Sequence, residues 1–170
     1  MVTPSPRSLP ESRAGFLLSH HLPERYDRTL RIPTRRGEIR LCARCAGQLL
    51  GGVAYLAVLL SGVFAIGVWL APQVQLLFLF APLPAAIDWG RQAVRGSEST
   101  NARRVISGAL LGVAFLDVAF LAAERLWLGV LVAVIAFLAY TSSITASLWV
   151  SGAWRRVVEE HLPGIDLSGT

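Results

Sequence analysis

Two cysteines and a pair of histidines carry the most reactive chemistry in this chain. Cys42 and Cys45 form a Cys-Ala-Arg-Cys unit, and His20-His21 lies upstream of it. Thiolates and imidazoles are the ligands zinc prefers. A Cys-x-x-Cys pair is equally a unit of dithiol redox chemistry. If a helix has begun by Cys42, the i, i+3 spacing puts both sulfurs on one face. A helix N-terminus and the neighbouring Arg40 and Arg44 would both favour thiolate. A single pair is not a standard zinc finger, so spacing alone leaves three readings open: metal ligation, redox chemistry, or two small interfacial cysteines. His20 and His21 are adjacent, so in a helix they point about 100° apart and one of them faces the pair.

Carboxylates and amides come next. Asp88 closes an apolar run, with Arg91 and Gln92 three and four residues on and able to share its face. An ionisable group at the end of a membrane span is costly and faces protein or water. Glu98 and Asn101 lie in the polar stretch Ser97-Glu98-Ser99-Thr100-Asn101, where Ser99, Thr100 or Asn101 can cap a following helix. Asp88 and Glu98 are candidates for a fourth metal ligand or a general base. Arg25, Arg44 and Arg91, with Gln92 and Asn101, are candidates for holding an anionic head group. Plainer roles stand beside these. Asp88 would simply pair with Arg91 at the interface, Glu24-Arg25 would be a surface pair of little energetic weight, and Glu98 and Asn101 would be loop and cap residues. Asp117 falls outside the site, with Arg125 or a hydroxyl of the last apolar run as its expected partner.

The elements that position these residues are apolar. Hydrophobic residues make up 54% of the 170 positions, and mean hydropathy is +0.53. Gly47–Leu70, Ala71–Ile87 and Leu126–Trp154 carry no charge, and Val105–Ala123 carries only Asp117. About 20 apolar residues cross a hydrocarbon core. The run ending at Ile87 is short and interrupted by Pro82 and Pro84. The pattern predicts an all-α, four-helix transmembrane bundle with a short cytoplasmic N-terminal segment and a second helix that is short or broken at proline. The spans are expected at about 42–70, 73–94, 101–123 and 126–152. A Pro/Ser/Arg-rich tail over 1–13 and an interfacial segment over 14–41 precede them, and a tail over 155–170 follows. Within the interfacial segment, 14–22 has the pattern of a short helix, and alternation around Thr34–Gly37 weakly suggests a hairpin.

All 16 basic residues are Arg, and formal net charge is +5. The arginines flank the apolar runs, which points to topology rather than nucleic acid. Their placement puts both termini, and Cys42 and Cys45 with them, on the cytoplasmic side. No secretory leader pattern is visible, so the first span is expected to act as an uncleaved anchor. Thiols in that compartment stay reduced, which argues against a structural disulfide. Gly47-x-x-x-Gly51 and Gly108-x-x-x-Gly112 mark close-packing helix faces. They do not reveal whether the packing lies within one chain or between chains.

Four segments in order carry a resemblance: His20-His21-Leu22-Pro23-Glu24-Arg25, Leu41-Cys42-Ala43-Arg44-Cys45-Ala46-Gly47, Ile87-Asp88-Trp89-Gly90-Arg91-Gln92 and Glu98-Ser99-Thr100-Asn101. The chain resembles the domain-of-unknown-function family 2085, small multi-pass membrane proteins of prokaryotes. The resemblance covers roughly Ser19 to Gly112 and implies a polar cluster on the inner side, with no established reaction. His20, Cys42, Arg44, Cys45, Asp88, Gln92, Glu98, Ser99, Thr100 and Asn101 match family positions. Ser19 stands where the family pattern has a cysteine, which leaves the ligand set of a zinc site open.

Three functions remain. The first is a zinc site of His20 or His21 with Cys42 and Cys45, and an open position that activates water against an anionic lipid or lipid-linked substrate. The second is a metal-free dithiol. The third is a small transporter or scaffold, with Asp88 and the hydroxyls of the last helix lining a path. Whether the protein is an enzyme, and its oligomeric state, are not legible.

Overall fold

The structure is a computed structural model that describes residues 23–34 and 37–161. The 1–13 tail, the 14–22 segment with His20 and His21, and residues 162–170 lie outside the described residues. The chain is mostly helical, with three helices long and apolar enough to cross a membrane. It is not purely so. A 3-10 turn, Pro23–Arg28, leads into an antiparallel hairpin of β1 (Thr29–Thr34) and β2 (Gly37–Cys42). Leu30 pairs with Leu41 and Ile32 with Ile39, the register that alternation around Thr34–Gly37 suggested. The all-α description is corrected to this extent. A six-residue alternating run finds a partner strand one short turn away, and each strand satisfies the other's backbone.

Strand β2 feeds helix α1 (Ala43–Leu60) without a loop, so Cys42 both ends the strand and caps the helix. The expected first span to Leu70 is shorter. Ser61 and the left-handed Gly62 end α1, and a single turn, α2 (Ile66–Trp69), follows. The second expected helix is divided into α3 (Pro72–Phe80) and α4 (Leu83–Arg95). Pro82 has no N–H to continue the ladder and its ring disfavours helix in the preceding residue, so the break falls at Ala81–Pro82. Helices α5 (Asn101–Ala123) and α6 (Trp127–Val150) are long, and α7 (Trp154–His161) closes the described chain. At 1.5 Å per residue, α1, α5 and α6 span about 27, 35 and 36 Å, against a hydrocarbon core of about 30 Å.

The centre of the bundle is the α1–α5 contact. A Cβ on Gly47 or Gly51 would run into the carbonyl oxygen of Val105 or Ala109, and one on Gly108 or Gly112 into that of Arg44 or Gln48. The two small-residue faces are therefore reciprocal and lie within one chain. Residue numbers rise together across the contact, so α1 and α5 are parallel. The chain between them must return over the same thickness, and α3 with α4 makes that return. In hydrocarbon, apolar burial does not drive helices together, so dispersion between close backbones supplies the attraction. Helix α6 packs against α4 and α5 from the outside. Leu148 is its one buried residue among those described.

Candidate functional site

Arginine-bearing helix ends gather at one end of the bundle: the start of α1, the end of α4 and the start of α5. The hairpin covers them. Cys42 is 5% exposed, whereas Cys45, one turn into α1, is exposed. Both are free thiols, and their side chains interact directly. The helix begins at Ala43 rather than at Cys42, so the pair bridges the strand–helix junction instead of lying along one helix face. The thiols still meet, because the N-cap and the third helical residue are a turn apart.

Beside them runs a charge network. Arg44 Nη2 donates to Asp88 Oδ2 at 2.6 Å, joining α1 to α4. Gln92 Nε2 donates to the same oxygen at 2.8 Å. Arg104 then links α4 to α5. Its Nη2 donates to Gln92 Oε1 at 3.2 Å and to Glu98 Oε2 at 2.8 Å, and its Nη1 donates to Asn101 Oδ1 at 3.2 Å. Arg28 Nη2 reaches the other oxygen of Glu98 at 2.7 Å. Asn101 Nδ2 ties the turn and hairpin down, donating to the carbonyls of Asp27 at 2.8 Å and Thr29 at 3.2 Å. Thr100 caps α5, accepting from the Arg103 amide at 3.3 Å. Arg40 lies 4.4 Å over the Tyr26 ring and pairs with Glu38 at 2.7 Å.

Sequence reasoning chose Asp88, Gln92, Glu98, Asn101 and Arg44, and the structure brings all five together. Their partners differ from the simplest expectations. Asp88 pairs with Arg44 across the bundle rather than with Arg91 on its own helix. Arg91 is exposed and has no ion-pair partner among the described residues. Asp88 and Glu98 are each held by arginine. Asp88 Oδ2 and both oxygens of Glu98 therefore already accept hydrogen bonds from arginine. His20 and His21 lie outside the described residues, and for Arg25 the structure describes the backbone turn alone. Among the described residues, no three His, Cys, Asp or Glu side chains gather as a metal cluster.

Arg104 was missed as a site residue, although it is 4% exposed and holds three partners. By sequence it is one of the arginines that flank the apolar runs, next to Arg103. A usable signal was present. Arg104, Gly108 and Gly112 recur every four residues, so Arg104 lies on the close-packing face. Arg103 points out.

Two further expectations change. Thr141, Ser143, Thr145 and Ser147 on α6 donate to the carbonyls of Phe137, Ala139, Thr141 and Ser143, four residues back. They donate to their own helix, a common habit of hydroxyls in apolar helices. Asp117 pairs neither with these hydroxyls nor with Arg125. Its Oδ1 accepts from Tyr55 at 3.0 Å and from Gln75 at 3.2 Å.

A parallel pair of glycine-clasped helices, a proline-broken return and an arginine–carboxylate network at one end define a helical membrane protein with a polar end site. Residues 23–118 match the family described as "Predicted membrane protein (DUF2085)", and the chain belongs to that family. No curated protein and no solved structure shows a significant match.

Proposed function

We propose that the chain crosses the cell membrane four times with both termini in the cytoplasm, and that its arginine-rich end binds zinc. Cys42 and Cys45 are two ligands, and His20 or His21 supplies a third. The observation that carries this reading is the direct contact between two free thiols at the β2–α1 junction. Soft, paired sulfur donors in a reducing compartment suit zinc. Because Asp88 and Glu98 are occupied by arginines, the remaining ligands have to come from elsewhere, and His20 and His21 precede Pro23 in the sequence. In a hydrolytic version of the idea, Asp88 or Glu98 would have to exchange its arginine contact for a water. The reading is therefore a binding site. The exposed arginines around it, Arg91 among them, favour anionic lipid head groups at about 1 kcal/mol each. Metal analysis of the purified full-length protein tests it. About one zinc per chain is expected in the wild type, lost in Cys42→Ser and in the His20→Ala/His21→Ala double variant. Wild-type protein that takes up no zinc on titration overturns it.

One observation favours a dithiol as the second reading. Cys45 is exposed and Cys42 buried, and their side chains interact, so the outer thiol is placed to meet a substrate disulfide and the inner one to resolve it. Cys45 would open a substrate disulfide, forming a mixed disulfide and releasing one thiol. Cys42 would then displace the second thiol, leaving a Cys42–Cys45 disulfide.

A further inference from the structure

A second polar group lies in the opposite half of the bundle, about 24 Å along α5 from Asn101. Asp117 is 4% exposed and Tyr55 5%. Tyr55 packs edge-on against Trp69 and Phe78, with ring centroids 5.1 and 5.5 Å apart. Gln75 Nε2 donates both to the Trp69 carbonyl at 2.8 Å and to Asp117 Oδ1. Two acceptors on that nitrogen fix the amide orientation, so Gln75 Oε1 points away from them. Both donors to Asp117 meet at Oδ1. Neither Asp117 Oδ2 nor Gln75 Oε1 has a hydrogen-bond donor among the described residues.

Asp117 and Gln75 line a cavity of about 1120 Å³ between α3, α5 and α6. Most small-molecule sites fall at about 300–1,000 Å³, so this one is large. Its wall is otherwise mainly apolar and aromatic, with Phe78, Phe115, Phe137 and Tyr140 around it. Tyr140 gives its hydroxyl proton to the Leu79 carbonyl at 3.1 Å. Arg125 also lines the cavity, in the α5–α6 turn about 12 Å beyond Asp117 at 1.5 Å per residue, so the wall carries one cation at that end and the carboxylate further in. The wall near Asp117 thus offers two acceptors, one of them a carboxylate oxygen, and aromatic faces that attract cations. An intramembrane carboxylate facing a cavity marks a functional site by default.

We propose that this cavity binds a cationic amphiphile. A primary ammonium head would donate to Asp117 Oδ2 and Gln75 Oε1, and its hydrocarbon tail would lie along Leu76, Leu79, Phe115 and Phe137. Charge complementarity selects the head, and the apolar wall selects the tail. The site shares no residue with the thiol end, so it stands or falls separately.

The test uses full-length protein in nanodiscs of zwitterionic lipid and a photoactivatable dodecylamine. Saturable labelling is expected, mapping to α3, α5 and α6. Unlabelled dodecylamine should compete best. Dodecanoate, equal in length and opposite in charge, should compete about ten-fold or more weakly, because it loses charge-assisted hydrogen bonds and meets like charge. Asp117→Asn should weaken labelling by about ten-fold. Ala136→Trp, which fills the cleft from the barely buried α6 and leaves the Asp117 group untouched, should abolish it even if Asp117→Asn fails to fold. Equal competition by dodecanoate, or labelling unchanged in folded Asp117→Asn or Ala136→Trp, overturns the proposal and leaves the cavity filled by bulk lipid only.

Discussion

Arg104 is the residue whose removal tests the site most directly. Arg104→Met keeps the aliphatic stem and deletes the guanidinium. Three interactions go with it: hydrogen bonds to Gln92 and Asn101, both at 3.2 Å, and the ion pair to Glu98 at 2.8 Å. The two hydrogen bonds are long, so each is taken at about 1 kcal/mol, below the usual range for a charged donor. Glu98 is 47% exposed and retains Arg28, so solvent discounts that pair to about 1 kcal/mol or less. The expected loss is about 3 kcal/mol. Reversible unfolding in mixed micelles against increasing dodecyl sulfate measures it. Arg104→Lys should recover only part of the loss, because a point donor cannot bridge α4, the connection and α5 as a planar fork does. Arg103→Met, one residue away and facing out, should stay within about 0.5 kcal/mol of wild type. A cycle pairing Arg104→Met with Glu98→Gln isolates the ion pair. An Arg104→Met loss below about 0.5 kcal/mol would refute the claim that this network fastens the helices.

Two expectations follow from packing and exposure. Gly112→Leu forces a side chain into the Gln48 carbonyl and should cost about 1–3 kcal/mol in the same unfolding assay; Gly90→Ala, in open space within α4, should instead stabilise by about 0.5–1 kcal/mol. A hydrophilic maleimide should label exposed Cys45 about ten-fold faster than Cys42 in the metal-free protein, read by mass mapping, since access as well as thiolate content sets the rate; equal rates would show that the hairpin does not cover Cys42.

Much of the architecture was legible in the chain because it follows from local chemistry. Long uncharged runs have to be helices in hydrocarbon, since only a helix or a closed barrel satisfies its own backbone there. Pro82 had to interrupt its helix, and Thr100 was among three marked cap candidates. The glycines at 47, 51, 108 and 112 announced close faces. The site was partly legible for the same reason. Asp88, Gln92, Glu98 and Asn101 are polar residues at helix ends, where burial demands a partner.

What stayed hidden were the partners. Asp88 had Arg91 three residues away and took Arg44, 44 positions distant in the chain, because the parallel clasp of α1 and α5 brings the start of α1 beside the end of α4. Asp117 had hydroxyls and Arg125 as candidates and took Tyr55 and Gln75. Arg104 looked like a topology signal and became the joint of the network. The sequence by itself determined which segments are helical and which of their ends are polar, since those properties are set residue by residue through solvation and backbone geometry. Only the tertiary structure decided which charge meets which. That choice depends on the register of two glycine faces, where a shift of one turn, about 5.4 Å, would part Arg44 from Asp88 and Arg28 from Glu98.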